Sequence, residues 1–222
     1  MGITSSEAMY SYSQMNDITF VRPNASVLDT IAAEVCIEEL RSEEMQTFLK
    51  KLKAFASGKV PGHGKILVGL AAPQIGLSKR VILVDQKADG KGKTSELRVF
   101  INPTLSSKSA ETAEWYEACA STGNIAGIVS RAASIELTAW DLDGKKIVER
   151  FEGYTARIIQ HEIDHLDGIR FPSRIDEEGR LHWVEPDEFP KYRNYGAWRF
   201  WPTKATKDQW LQIRYSVPEN PY

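Results

Sequence analysis

The run Gln160-His161-Glu162-Ile163-Asp164-His165 constrains this chain more than any other stretch. Read as a helix, it puts His161 and His165 four residues apart on one face. Two imidazoles at that spacing can grip one metal ion. Glu162 beside them offers a carboxylate that can handle the proton of an attacking water. The helix is expected over 155–167, with Thr155 as its cap and Gly168 ending it in the left-handed conformation. Ile158, Ile159 and Leu166 help to bury it. The rest of the chain must then supply a third ligand, an oxyanion donor and a substrate groove.

The remaining periodicities indicate what surrounds that helix. Residues 42–57 read as a second helix, capped by Ser42, with Met45, Phe48, Leu49, Leu52 and Phe55 on one buried face. Gly58, Pro61, Gly62 and Gly64 then open a loop. Strand-like stretches cover 81–84, 98–101 and 134–140. In the last, Ile135, Leu137 and Ala139 alternate with Glu136, Thr138 and Trp140, the period of a half-buried strand. Asp141-Leu142-Asp143-Gly144 is a hairpin turn leading to a return strand over 146–151. Residues 18–36 suggest a strand and turn, and 86–96 a surface loop. One helix, several antiparallel strands and a second helix make an α+β domain.

Three segments are expected: a flexible 1–17, a catalytic 18–175, and an aromatic-rich extension 176–222 that wraps and packs on the domain. No helix or strand period persists in the extension. Net charge is −2, so no basic field attracts nucleic acid. No apolar run is long enough to span a membrane. The start has no signal or transit pattern, although Gly2 and Ser6 fit the loose acylation pattern. The two cysteines, Cys36 and Cys119, make no disulfide scaffold, and an intracellular, reducing setting is the default. Cys36 reads as a small buried hydrophobe.

A catalytic metal site has three protein ligands and one open position. Cys119, in Glu117-Ala118-Cys119-Ala120-Ser121, is the candidate third ligand. His182 lies downstream but in a segment without helical character, and His63 lies in the Gly-rich loop. Glu117 and Arg131 suit a buried ion pair behind Cys119. Gln160 and Asp164 either hydrogen-bond behind the site or solvate the helix.

Gly69-Leu70-Ala71-Ala72-Pro73-Gln74-Ile75-Gly76, Glu117-Ala118-Cys119-Ala120-Ser121 and Gln160–Gly168 together resemble the three signature motifs of the peptide deformylase family, in the family's order. The resemblance runs from about residue 18 to 175. It implies a compact α+β fold with antiparallel strands around a central metal-ligand helix. It implies hydrolytic removal of the N-formyl group from the N-terminal Met of nascent chains, with formate as a product. It implies one divalent ion on Cys119, His161 and His165: Fe2+ first, with Zn2+, Ni2+ or Co2+ able to use the same ligands. Glu162 is then the acid–base residue. Gln74 and the backbone N–H of Ala120 are the oxyanion donors, and Val68, Gly69 and Ala118 line the substrate. The implied partner is an N-formylated peptide; the expected setting, from the cysteines and the start of the chain, is intracellular and cytoplasmic, with an organelle left open.

The chain departs from the family's pattern around the groove. Leu67 stands where the first motif has glycine, and Ala118 and Ala120 stand where the second has Gly and Leu. The ligands and the base are spared, so deformylase chemistry with an altered substrate pocket is expected. The competing readings are an amidase for another N-formyl or N-acyl compound, a non-catalytic metal-binding relic, and a zincin-type endoprotease.

Overall fold

A computed structural model describes residues 18–60, 66–91, 93–95, 97–177, 179–194 and 196–216. The expectations for 1–17, for the acylation pattern at Gly2 and Ser6, and for Pro61, Gly62, His63 and Gly64 lie outside the described residues.

Chain order begins with helices α1 (Ile37–Leu40) and α2 (Glu43–Ala56). Strands β1 (Gly69–Ala71), β2 (Val81–Asp85), β3 (Leu97–Lys108), β4 (Thr112–Ala118), β5 (Ile125–Ala132), β6 (Ser134–Trp140) and β7 (Lys146–Glu152) follow. Then come α3 (Gly153–Leu166), β8 (Leu181–Trp183), α4 (Phe189–Tyr192) and α5 (Lys207–Tyr215). The architecture is α+β. One sheet runs β1-β2-β3-β6-β7 and the other β4-β5-β8, with every neighbouring pair antiparallel.

The five-stranded sheet separates the two long helices. Strand residues alternate faces, and β2 is buried throughout. Val81 and Leu83 join Met45, Phe48, Leu49 and Leu52 of α2. Ile82 and Val84 join Ile158, Ile159 and Ile163 of α3. A strand covered on both faces reads as an unbroken apolar run, which is what Val81-Ile82-Leu83-Val84 is. On the α2 side, the Ser42 hydroxyl accepts from the Met45 N–H at 3.2 Å, making the expected cap. The 141–144 hairpin turn closes with Gly144 donating to the Asp141 carbonyl at 3.1 Å.

Several local expectations change. Residues 18–36 form no strand; a 3-10 turn over Ser26–Asp29 and a single bridge from Ala33 to Lys79 stand there instead. Cys36 is exposed, because its thiol caps α1 by accepting from the Glu39 N–H at 3.4 Å. Helix α3 starts two residues before Thr155, whose hydroxyl donates to the Gln86 carbonyl at 3.1 Å instead of capping. Gly168 is left-handed, with φ 70°, as the helix end requires. Beyond residue 180 the chain adds β8 to the β5 edge and buries Tyr192, Trp198 and Trp201 against Tyr116 and Ala126. Among the described residues no helix is long and apolar enough to cross a membrane.

Candidate active site

Helix α3 presents His161, Glu162 and His165 where the two sheets meet. Cys119 follows the last residue of β4, and its backbone opens the 3-10 turn Ala120–Thr122. The Cys119 Sγ lies 3.3 Å from His165 Nε2. One ligand atom from each of Cys119, His161 and His165 falls within 4.8 Å of the others. His161 Nδ1 is 2.8 Å from Glu117 Oε2. A carboxylate only accepts, so Nδ1 carries the proton and Nε2 is left for a metal. One thiol sulfur and two imidazole nitrogens at this spacing suit a divalent transition metal. The two imidazoles are shifted in opposite directions. Burial pushes His161 down, but hydrogen bonds to Cys119 and Glu117 outweigh it and hold the ring well above its ordinary range. Burial, with His161 and Arg170 nearby, pushes His165 well below its ordinary range.

Glu117 is the anchor behind His161. It accepts from Arg131 Nε at 2.6 Å and Nη2 at 2.8 Å, and from Arg157 Nη1 at 2.7 Å. Arg131 also donates to Asp164 Oδ2 at 2.8 Å, and Arg174 reaches Asp164 Oδ1 at 2.6 Å. Burial pushes the Glu117 carboxyl up, but the Arg131 charge and hydrogen bonds and the His161 contact hold it well below the usual carboxylate range. Asp164 therefore belongs to the network behind the ligands. Gln160 bonds backbone instead, donating to the Ala132 and Ala156 carbonyls at 3.0 Å each. Arg157 escaped the reading of the sequence. Its signal was available: it lies four residues before His161, on the same helix face.

Glu162 sits opposite in character. It is 4% exposed, and its Oε2 has no hydrogen-bond partner among the described residues. Burial raises its carboxyl to about 7, with His161 pulling the other way. Gly69 makes the space for it: a Cβ there would lie 2.3 Å from Glu162 Oε1 and 2.6 Å from Ile158 Cγ2. Gln74 Oε1 accepts from the Ala71 N–H at 2.8 Å, which turns its Nε2 toward Cys119 Sγ at 3.2 Å and Ser121 Oγ at 3.4 Å. Ala120 is exposed and first in its turn, so its N–H has no intrahelical acceptor. Val68 lies just before β1 and Gly69 opens it, and Ala118 lies at the end of β4 opposite Ala126. β1 and β4 are both edge strands. Leu67 packs against the α2 cluster.

His182 stands apart from these groups. Its Nε2 accepts from Lys204 Nζ at 3.0 Å, so its Nδ1–H donates to Tyr192 Oη at 2.8 Å. Burial and the Lys204 charge push it down to about 4. His63 lies outside the described residues.

Residues 18–181 match the family model described as polypeptide deformylase. A peptide deformylase of Treponema pallidum is 39% identical over 66% of this chain and 86% of that protein. One from Pelotomaculum thermopropionicum is 44% identical over 64% of this chain and 83% of its own. Among solved structures, a Met-Ala-Ser-bound class I type b peptide deformylase from Acinetobacter baumannii superposes with a TM-score of 0.62. It is 32% identical and covers 71% of this chain and 98% of its own.

Proposed function

The chain belongs to the polypeptide deformylase family, and on that premise we propose how its own residues carry out the removal of an N-formyl group from nascent peptides. Cys119, His161 and His165 hold one divalent metal, which we assign as Fe2+, with Zn2+, Ni2+ or Co2+ able to use the same three donors. When bound, the metal supplies Lewis acidity for the formyl oxygen and for water. The observation that carries the reading is Glu162: a buried carboxyl, raised to about 7, with one oxygen unpartnered among the described residues and beside the three-donor cluster.

Glu162 takes a proton from the attacking water and delivers it to the departing amine nitrogen, so water and formamide become formate and amine. Charge growing on the formyl oxygen is met by Gln74 Nε2–H and the Ala120 N–H. Losing one such donor costs about 10²–10³ in rate. Glu117 keeps His161 in the tautomer that leaves Nε2 free. The substrate peptide lies as an added strand along the open edges of β1 and β4, beside Val68, Gly69 and Ala118. We place the reaction in a reducing intracellular compartment, where Cys119 stays a free thiol.

Formate release from formyl-Met-Ala-Ser, measured beside a panel of other N-formyl and N-acyl compounds, tests this reading. Turnover of the formyl peptide above the rest of the panel is expected. No turnover of the peptide, together with turnover of another amide, would overturn it.

A further inference from the structure

Arg170 is 1% exposed and takes no part in the chemistry described above. A buried guanidinium is costly unless each face and donor has a partner. Its Nη2 lies 2.5 Å from Asp29 Oδ1, its Nη1 bonds the Pro23 carbonyl, and its plane lies 4.8 Å over the ring of Trp210. Asp29 also receives Arg214 of α5, from Nε at 3.0 Å and Nη2 at 2.8 Å. One carboxylate therefore ties the segment just after α3 to α5, and Trp210 of α5 covers the knot. The Arg170 Nε has no hydrogen-bond partner among the described residues, and the remaining contact is a long one, 3.4 Å from Nη1 to the Ser121 carbonyl.

Ser121 is what makes that contact matter. Its N–H points at Cys119 Sγ at 3.5 Å, and its hydroxyl accepts from Gln74 Nε2 at 3.4 Å. An apolar route runs in parallel. Trp210 shares a cluster with Phe171, against which Cys119 packs, and the Phe171 ring stacks on His161 at 6.1 Å. We propose that Arg170, locked by Trp210 and Arg214 of α5, is a positioning residue for the Cys119–Ser121 turn, so that the C-terminal helix sets the geometry of the active site. This rests on the roles given to Cys119 and Gln74 above. A leucine would fill the space without charge; the guanidinium adds contacts from one Nη1 to the carbonyls of both Pro23 and Ser121.

The test uses the full chain loaded with Co2+, whose thiolate charge-transfer and d–d bands read ligand geometry without turnover, beside steady-state kinetics and thermal melting. Arg170→Met and Trp210→Ala should lower kcat about 10–100-fold with KM within about twofold, since sub-ångström misplacement acts on the reacting geometry. Both should shift the Co2+ bands. Trp210→Phe, which keeps an aromatic face under Arg170, should restore the spectrum and most of kcat. Arg214→Gln, at a partly exposed site, should fold and give a smaller change of the same kind. Lower melting temperatures with wild-type kcat and wild-type Co2+ bands would overturn the proposal, and Arg214→Gln decides the matter if the buried variants do not fold. If the wild type releases no formate, the deformylase reading falls, while the Co2+ bands still test the placement of Cys119.

Discussion

Glu117 and Glu162 are both buried carboxylates flanking one small site, and their surroundings are opposite. Glu117 meets two guanidiniums and an imidazole and is held ionised. Glu162 has an unpartnered oxygen among the described residues and is lifted to about 7. The same residue type is thus made a fixed anion in one place and a group poised to exchange a proton near neutral pH in the other. The difference is built by the sheets. Arg131 on β5 reaches Glu117 on β4, whereas β1 sets the bare backbone of Gly69 against Glu162.

Removing the poised carboxyl should have the largest effect. Glu162→Gln should lower kcat by about 10²–10⁴ while the protein keeps its bound metal, measured by formate release and metal content. Activity within a few-fold of wild type would erase the contrast between the two carboxylates. Glu117→Gln should act differently. It leaves Arg131 and Arg157 buried against a neutral amide, at a cost of about 3–5 kcal/mol in denaturant unfolding. It also loosens His161, so metal affinity against a chelating dye should fall about 10–100-fold.

The two carboxylates should also give opposite pH slopes. Glu117 has a depressed value when folded, so its stabilisation is present above its ordinary 4.5 and is lost as pH falls below that. Glu162 has a raised value. Between 4.5 and about 7 the folded state holds a proton that the unfolded state has released, so stability falls as pH rises through that window. The slope from one such group is at most about 1.4 kcal/mol per pH unit. Metal-free Glu162→Gln, compared with metal-free wild type from pH 4.5 to 7.5, isolates it. The variant should become relatively more stable as pH rises. A constant difference across the range would show that Glu162 is not desolvated in solution.

The proposed chemistry of this contrast was far more legible in the sequence than its setting. His161, Glu162 and His165 share a short helical period, and Cys119 and Gln74 lie in compact motifs, so local spacing was enough to single them out. Strands β2, β6 and β7 and helix α2 carry their own apolar periods. β4 and β5 do not: Thr112–Ala118 and Ile125–Ala132 interrupt their apolar residues with Glu114, Glu117, Gly127 and Arg131, because their inward positions face the Glu117 network as well as a core. The Arg170–Asp29–Arg214 knot joins residues far apart in the chain, and no local pattern encodes such pairs; Arg157 shares a helix face with His161, but its partner Glu117 is 40 residues away. The turns and short helices after residue 180 leave no period because α4 has four residues and α5 buries only Trp210. Cys36 was read from its apolar neighbours, but a cap position faces outward.

Gly69 gives the finest test of why Glu162 stands alone. Its missing Cβ is not a matter of backbone conformation, since its φ is not positive. It is a matter of space, with Glu162 Oε1 and Ile158 Cγ2 both inside contact distance of the position a methyl would take. Gly69→Ala should therefore push α3 away from β1 and cost about 1–3 kcal/mol, as overpacking does. Part of that strain disappears if the carboxylate is also removed. A cycle of Gly69→Ala, Glu162→Ala and the double variant, followed by urea unfolding, should give a coupling of about 1 kcal/mol in the relieving direction. Relief should be incomplete, because Ile158 still blocks the methyl. Strict additivity would mean that Glu162 can swing away from β1 at no cost. Its isolation would then be a property of one conformer and not of the packing between β1 and α3.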